Sequence, residues 1–153
     1  MNNVKICPCP TEAVPYVAAI EKATFSDPWS EESLLGMTDS VFHHLLCATE
    51  DGEVCGYLAA SSVAGENEIL RIAVSGSHRR RGIGASLLDS FIKERAEEGD
   101  SEFFLEVRAS NAPAIGLYTS RGFEVCGKRA NYYRCPTEDA VLMRCSVSPM
   151  TDE

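Results

Sequence analysis

Residues 105–123 read LEVRASNAPAIGLYTSRGF. An acid interrupts an apolar run, a Ser-Asn pair follows where a helix would be capped, and a tyrosine falls inside the helical stretch that Gly122 closes. Phe103–Val107 predicts a buried strand and Asn111–Ser120 a helix. A proton acceptor, Glu106, a helix-end anchor, Asn111, and a proton donor, Tyr118, therefore lie within twenty residues of one another. Tyr118 is seven residues, two helical turns, after Asn111, so both should project from one face.

Working upstream, residues 79–84 read RRRGIG and open an amphipathic helix, Gly82–Glu98, whose stripe is Ile83, Leu87, Leu88, Phe91 and Ile92. Gly99 ends it. The free N–H groups at such a helix start, and its positive end, suit a phosphate, with Gly82 and Gly84 admitting close backbone approach. Alone the signal is weak, because many helices begin after a glycine and three arginines also make a solvated corner. It is not a dinucleotide fingerprint, which needs a third glycine and a parallel βαβ unit. Together the two stretches suggest acyl transfer from a phosphate-bearing carrier to an amine.

The remaining chain predicts a mixed α/β order. Val4–Cys7 reads as a strand, and Glu12–Thr24 as a helix with Thr11 as cap and Pro15 in its first turn. Ser30 caps a short helix, with Glu31 and Glu32 at its positive end. Val41–Thr49 and Val54–Ala60 form a hairpin through Asp51-Gly52, with Glu68–Val74 as a third antiparallel strand. The helix after RRRGIG crosses between the fourth and fifth strands. Glu124–Ala130 and Ala140–Ser146 complete the sheet.

A chain of 153 residues, 44% hydrophobic, suits one domain, expected over residues 1–148 with a loose tail at Pro149–Glu153. A net charge of −9 argues against a nucleic-acid surface and weakly favours a cationic substrate. No run of about 18 apolar residues predicts a membrane span, and MNNVKICPCP has no export signal, so a cytoplasmic protein without a membrane partner is expected. The seven cysteines lack C-x-x-C spacing, and His43, His44 and His78 lack partners at ligand spacing, so no metal site is expected. Cys126 and Cys135 could suggest an acyl-cysteine route, but no histidine is placed to activate either.

The order of strand, R-x-x-G-x-G turn, helix, acid-bearing strand and Asn-led helix with a tyrosine resembles the GCN5-related N-acetyltransferase (GNAT) superfamily. Within it, FSDPWSEESL, ILRIAVSGSHRRRGIGASLL, LEVRASNAPAIGLYTSRGFEVCGKRANYY and EDAVLM are similar to the bacterial ribosomal-protein-alanine N-acetyltransferases. The resemblance covers about residues 4–146. It implies a single domain with a splayed, mostly antiparallel mixed sheet flanked by helices, and acetyl-CoA as co-substrate. It implies that Ile72, Ala73 and Val74 pair with the pantetheine arm, and that Arg80, Arg81, Gly82, Ile83, Gly84 and Ala85 cradle the pyrophosphate. Asn111 would hold the cofactor near its thioester, in competition with a role as helix cap that Ser110 could also fill. Glu106 becomes the general base, against the plainer reading of a salt bridge to Arg108, and Tyr118 the general acid, against that of a core tyrosine.

The implied acceptor is a protein amino terminus, an alanine of ribosomal protein S18. Alternatives on the same fold are a lysine or small-molecule amine, or an acyl-CoA sensor without catalysis. The oligomeric state is open, with a monomer expected. SGS at 75–77 departs from the Asp and Pro that relatives often carry there. The cofactor expectation is testable by melting: CoA should raise Tm and NAD should not, and equal shifts with both would refute it.

Overall fold

The computed structural model describes residues 3–148; the tail expected at 149–153 lies outside the described residues. In chain order they form β1 (Val4–Pro8), a 3-10 turn (Thr11–Ala13), α1 (Val14–Thr24), α2 (Glu31–Asp39), β2 (His43–Glu50), β3 (Glu53–Val63) and β4 (Glu66–Val74). A second 3-10 turn (Gly76–His78), α3 (Ile83–Glu97), β5 (Glu102–Arg108), α4 (Ala112–Ser120), β6 (Glu124–Tyr133) and β7 (Glu138–Ser146) follow. The seven strands make one sheet, ordered β1-β2-β3-β4-β5-β7-β6. Only β4 and β5 pair in parallel, as a helical crossover requires; every other pair is antiparallel.

Several boundaries differ from the sequence reading. The first helix begins at Val14 behind a 3-10 turn, and Thr11 caps nothing because the turn absorbs it. β3 runs on to Val63 because Ala64 and Gly65, at φ +53° and +83°, supply the positive φ of a tight hairpin to β4. The last strand inserts between β5 and β6, which local pattern could not reveal.

Two apolar layers sandwich the sheet. On one side α3 brings Ile83, Leu87, Leu88 and Phe91 against Leu46, Leu58, Ile69, Phe103 and Leu105. On the other, Val14, Val17, Ile20 and Leu34 from α1 and α2 pack on Tyr57, Ala59 and Ala73. Alternate residues of β3 serve opposite cores, so this central strand is buried on both faces. Truncating Phe91, fully buried, would cost about 3–5 kcal/mol. No helix of the described residues is long and apolar enough to cross a membrane.

Among the described residues two polar side chains are buried outright, Glu21 and Asn67, and both are paired. The Glu21 carboxylate accepts from the Tyr57 hydroxyl, the Arg71 guanidinium and, at 2.8 Å, the Trp29 N–H. Removing the arginine alone would strand a buried charge at a cost of about 3–5 kcal/mol.

The three histidines are structural. His43 Nδ1 lies 2.8 Å from Ser40 Oγ, and His78 Nδ1 lies 2.7 Å from Ser75 Oγ. His44 packs on Phe91, with ring centroids 5.5 Å apart, and its buried Nε2 has no partner. Burial first, and then Arg95, lowers the His44 pKa. The unfolded chain therefore binds a proton at His44 more readily than the folded one, and stability falls as pH drops below about 6.5. His44→Leu should be more stable than wild type at pH 5, with the difference narrowing towards pH 8. Denaturant melts at the two pH values check this; a difference independent of pH would contradict it.

Candidate functional site

β4 and β5 pair only over Glu66–Ile69 against Glu102–Leu105, and beyond that the strands part. Asn67 pins the closed end: its Nδ2 donates to Glu102 O at 3.2 Å and to Asp100 Oδ2 at 3.1 Å. Asp100 is also paired with Arg95 of α3 at 3.1 Å. The opening coincides with a β-bulge. Ile69 pairs with Ala60 and Arg71 with Ala59, leaving Leu70 without an opposite residue in β3. A bulge bends its strand and reverses which residues face each side. Hence Ile69 faces the α3 core and so do Ile72 and Val74, whereas Ala73 faces α1 and α2.

The backbone follows from the same register. Ser75 N–H donates to Cys55 O at 2.8 Å, and hydrogen-bonded and non-hydrogen-bonded pairs alternate along an antiparallel ladder. Ala73 is therefore bonded to Tyr57, while Ile72 and Val74 turn their N–H and C=O groups away from β3, towards the opening. Of the three residues expected to meet a pantetheine arm, two offer free backbone groups. The Val74 carbonyl already accepts from Arg79 Nε at 3.1 Å.

Across the opening stands Glu106. Leu105 and Val107 lie in the α3 core, so Glu106 points to the opposite face, its side chain 21% exposed. Arg129 lies 3.6 Å away. The expected alternative partner, Arg108, is not there: it pairs with Glu138 at 3.4 Å and stacks on Tyr133 at 4.5 Å. Glu106 faces the Tyr132 phenol and raises its pKa through hydrogen bonding and then charge. Tyr133 is pushed up to about 12, first by burial and then by Glu106.

Tyr118 is buried against Phe123 and makes no hydrogen bond through its hydroxyl to another described residue. Burial, then Tyr133, pushes its phenol up to about 12, so it keeps its proton across the physiological range. Asn111 is the N-cap of α4, its side-chain oxygen accepting from Ala114 N–H at 3.2 Å. Its backbone is non-helical and its side chain exposed, so it does not share a buried helical face with Tyr118; its amide nitrogen stays available.

At the turn, Gly82 occupies φ +76°, the left-handed conformation that starts α3, and an added Cβ would meet nothing within 4 Å. The first helical bond is Ser86 N–H to Gly82 O, which leaves the N–H groups of Ile83, Gly84 and Ala85 without helical acceptors. At Gly84 an added Cβ would sit 3.4 Å from Leu117 and 3.9 Å from Ile72, ordinary contacts that leave room for it. Arg81 forks onto Glu50, with one bond of 3.0 Å, whereas Arg80 has no partner among the described residues. Glu50 is held below its usual range chiefly by that bond to Arg81. The open backbone donors, the uncrowded Gly82 and the free Arg80 fit a pyrophosphate, and the outward edge of β4 fits an extended amide-bearing arm.

Sequence reasoning missed the Glu21–Arg71 pair and the Tyr132–Tyr133 wall. The signals were present, a carboxylate in the apolar helix AAIEKA and an arginine in the apolar strand ILRIAV, but only tertiary structure joins them.

Residues 14–123 match the Acetyltransferase (GNAT) family. The [Ribosomal protein bS18]-alanine N-acetyltransferase of Salmonella typhimurium is 36% identical over 152 residues, covering 97% of this chain and 99% of the relative. The crystal structure of the ribosomal-protein-S18-alanine N-acetyltransferase from Escherichia coli superimposes with a TM-score of 0.89 at 33% identity, covering 98% and 97% of the two chains. PaiA N-acetyltransferase from Thermoplasma acidophilum, solved in complex with coenzyme A, shares the fold, with a TM-score of 0.77 at 19% identity and coverage of 94% and 99%.

The two glycines of the turn should separate in stability measurements. Gly82→Ala forces a side chain into a left-handed conformation and should cost about 1–2 kcal/mol. Gly84→Ala makes only ordinary contacts and should be neutral or stabilising by up to about 1 kcal/mol. Urea melts of both variants check this; equal losses would contradict it.

Proposed function

The chain belongs to the GNAT acetyltransferase family, and from that premise we propose that it transfers acetyl from acetyl-CoA to the α-amine of a protein's amino-terminal alanine. The observation that carries this reading is one opening in the sheet that has a carboxylate, Glu106, on one bank and outward backbone donors, at Ile72 and Val74, on the other. Similarity to the Salmonella typhimurium relative supports ribosomal protein bS18 as the acceptor.

The N–H groups of Ile83, Gly84 and Ala85, with Arg80, hold the pyrophosphate, and Gly82 lets it approach. The outward groups of Ile72 and Val74 receive the pantetheine arm as a neighbouring strand would. Asn111, with its oxygen used in capping, turns its amide nitrogen to the thioester end. Bound acetyl-CoA supplies an activated acyl group.

An α-ammonium has a reference pKa of about 7.7–8.0, so only modest help is needed to free its lone pair. Glu106, directly or through one water, takes that proton. The neutral amine forms a C–N bond to the acetyl carbonyl carbon as the C–S bond breaks, and the Val74 N–H donates a hydrogen bond to the carbonyl oxygen as negative charge develops there. Tyr118, protonated and without another partner among the described residues, donates its proton to the departing sulfur, and the proton that the newly acylated nitrogen sheds returns to Tyr118 through solvent.

The pH dependence of two variants tests the roles. Glu106→Gln should lose activity strongly near neutrality and recover above the amine's pKa, where the amine is already neutral. Tyr118→Phe keeps the ring that packs on Phe123 and should lower kcat roughly 10²-fold without recovery as pH rises. The measurement is kcat and kcat/KM against pH on a peptide whose only amine is its amino terminus. A Glu106→Gln defect constant with pH, or a Tyr118→Phe enzyme of wild-type turnover, would overturn the corresponding role.

A further inference from the structure

Three of the seven cysteines meet at the β1 edge of the sheet, well apart from the opening between β4 and β5. Cys7 and Cys9 are separated by one residue of extended chain, so both point to the α1–α2 face, where Cys9 and the fully buried Cys47 belong to the core. Cys7 is exposed and stands directly opposite Cys47, Sγ to Sγ at 3.9 Å. All three are free thiols.

The ladder decides which two can join. Cys9 N–H donates to Leu45 O at 2.8 Å, so Cys9–Leu45 is a hydrogen-bonded pair, Pro8–Leu46 is not, and Cys7–Cys47 is one again. Opposed residues of such a pair have Cα atoms about 5.5 Å apart, inside the span of about 4.4–6.8 Å that a disulfide bridges. The rival is Cys9, which shares a hydrogen bond with Cys47 that lowers the Cys9 pKa. Yet Cys9 lies diagonal to Cys47, where Cα atoms are about 7–8 Å apart, and it is buried, so a soluble oxidant meets Cys7 first. Cys7 and Cys9 themselves are roughly 6.8 Å apart along one strand, at the limit of reach. Bonding Cys7 to Cys47 requires Cβ atoms about 4.5–5.5 Å apart to close to about 3.8 Å. β1 has β2 as its one neighbour in the sheet, so it can lean inward without breaking a second ladder.

We propose that Cys7 and Cys47 form a reversible disulfide, a redox-operated clasp that ties β1 to β2 and closes a loop holding the whole α1–α2 layer. The oxidant is a low-molecular-weight disulfide. The Cys7 thiolate attacks one of its sulfurs and expels one small thiolate, leaving a mixed disulfide on Cys7. The Cys47 thiolate then attacks the Cys7 sulfur, forming the Cys7–Cys47 bond and expelling the second. Two protein thiols are oxidised, and their two electrons and two protons leave on two small thiols. Burial, then Cys47, raises the Cys7 pKa, so thiolate is scarce and exchange is slow near neutrality. The equilibrium depends instead on how concentrated one thiol is at the other, which the ladder keeps high. The two cysteines are 40 residues apart, so the bond restricts the unfolded chain across both helices and stabilises the fold.

The test equilibrates the native protein with glutathione disulfide in excess over glutathione, quenches with acid and maps disulfides by mass spectrometry of unreduced peptides. A Cys7–Cys47 linked peptide is expected, with Tm raised by roughly 5 °C or more, and dithiothreitol should reverse both. Cys7→Ser, at an exposed position, should lose the bond and the rise in Tm, whereas Cys9→Ser should keep them. Retention of both thiols, a mixed disulfide stalled on Cys7, a bond running through Cys9 in place of Cys7, or a Cys7–Cys47 bond without a rise in Tm would each overturn the proposal. So would disulfides confined to the exposed Cys126 and Cys135. Should Cys9→Ser not fold, the linked peptides of the unaltered protein decide between Cys7 and Cys9 by themselves.

Discussion

The parting of β4 from β5 is the constraint on which the rest of the site depends. A parallel pair would ordinarily continue its ladder to the strand ends, satisfying each N–H and C=O. Here the ladder is locked at one end by the buried Asn67 amide and released at the other by a bulge that leaves Leu70 unpaired. The outward groups of Ile72 and Val74 are therefore backbone that the sheet itself does not satisfy, and β5 ends nearby with an acid on the accessible face. In the reaction proposed above, binding and proton-transfer groups come from different strands, brought together because those strands stop pairing.

The surroundings keep that opening from collapsing. On the α3 side, Ile72, Val74 and Leu117 of α4 pack on the same apolar core, which supports the parted strand from behind. The 25–30 connection between α1 and α2 is irregular in backbone but not loose, because Glu21 at zero exposure must keep its three donors or carry an uncompensated charge.

Charge is divided locally in a chain that is acidic overall. Two of the three turn arginines are committed to the turn, Arg79 to the Val74 carbonyl and Arg81 to Glu50, while Arg80 has no partner among the described residues. The turn is thus stiffened by its own cations, and most of its affinity for an anion would come from oriented backbone N–H groups, which a small charged side chain could not place as accurately. His78 contributes to the same stiffening through Ser75 and lies 3.6 Å from Glu50.

The roles of Glu106 and Tyr118 came with the family resemblance, and the α4 cap was left open between Ser110 and Asn111, whereas local pattern in the sequence determined the element types, the helix start at Gly82, the Ser30 cap and the Asp51-Gly52 hairpin. Each depends on residues within a few positions of one another: apolar period, capping side chains, or glycine where φ must be positive. Tertiary structure alone decided that β7 lies between β5 and β6, and that Ile72 and Val74, but not Ala73, turn their backbone groups to the opening. It also decided that Glu106 faces Arg129 and not Arg108, and that Glu21 and Arg71, 50 residues apart, share one bond. Strand register and the pairing of buried charges are set by which distant surfaces exclude water from each other, and that information is carried by no window of sequence.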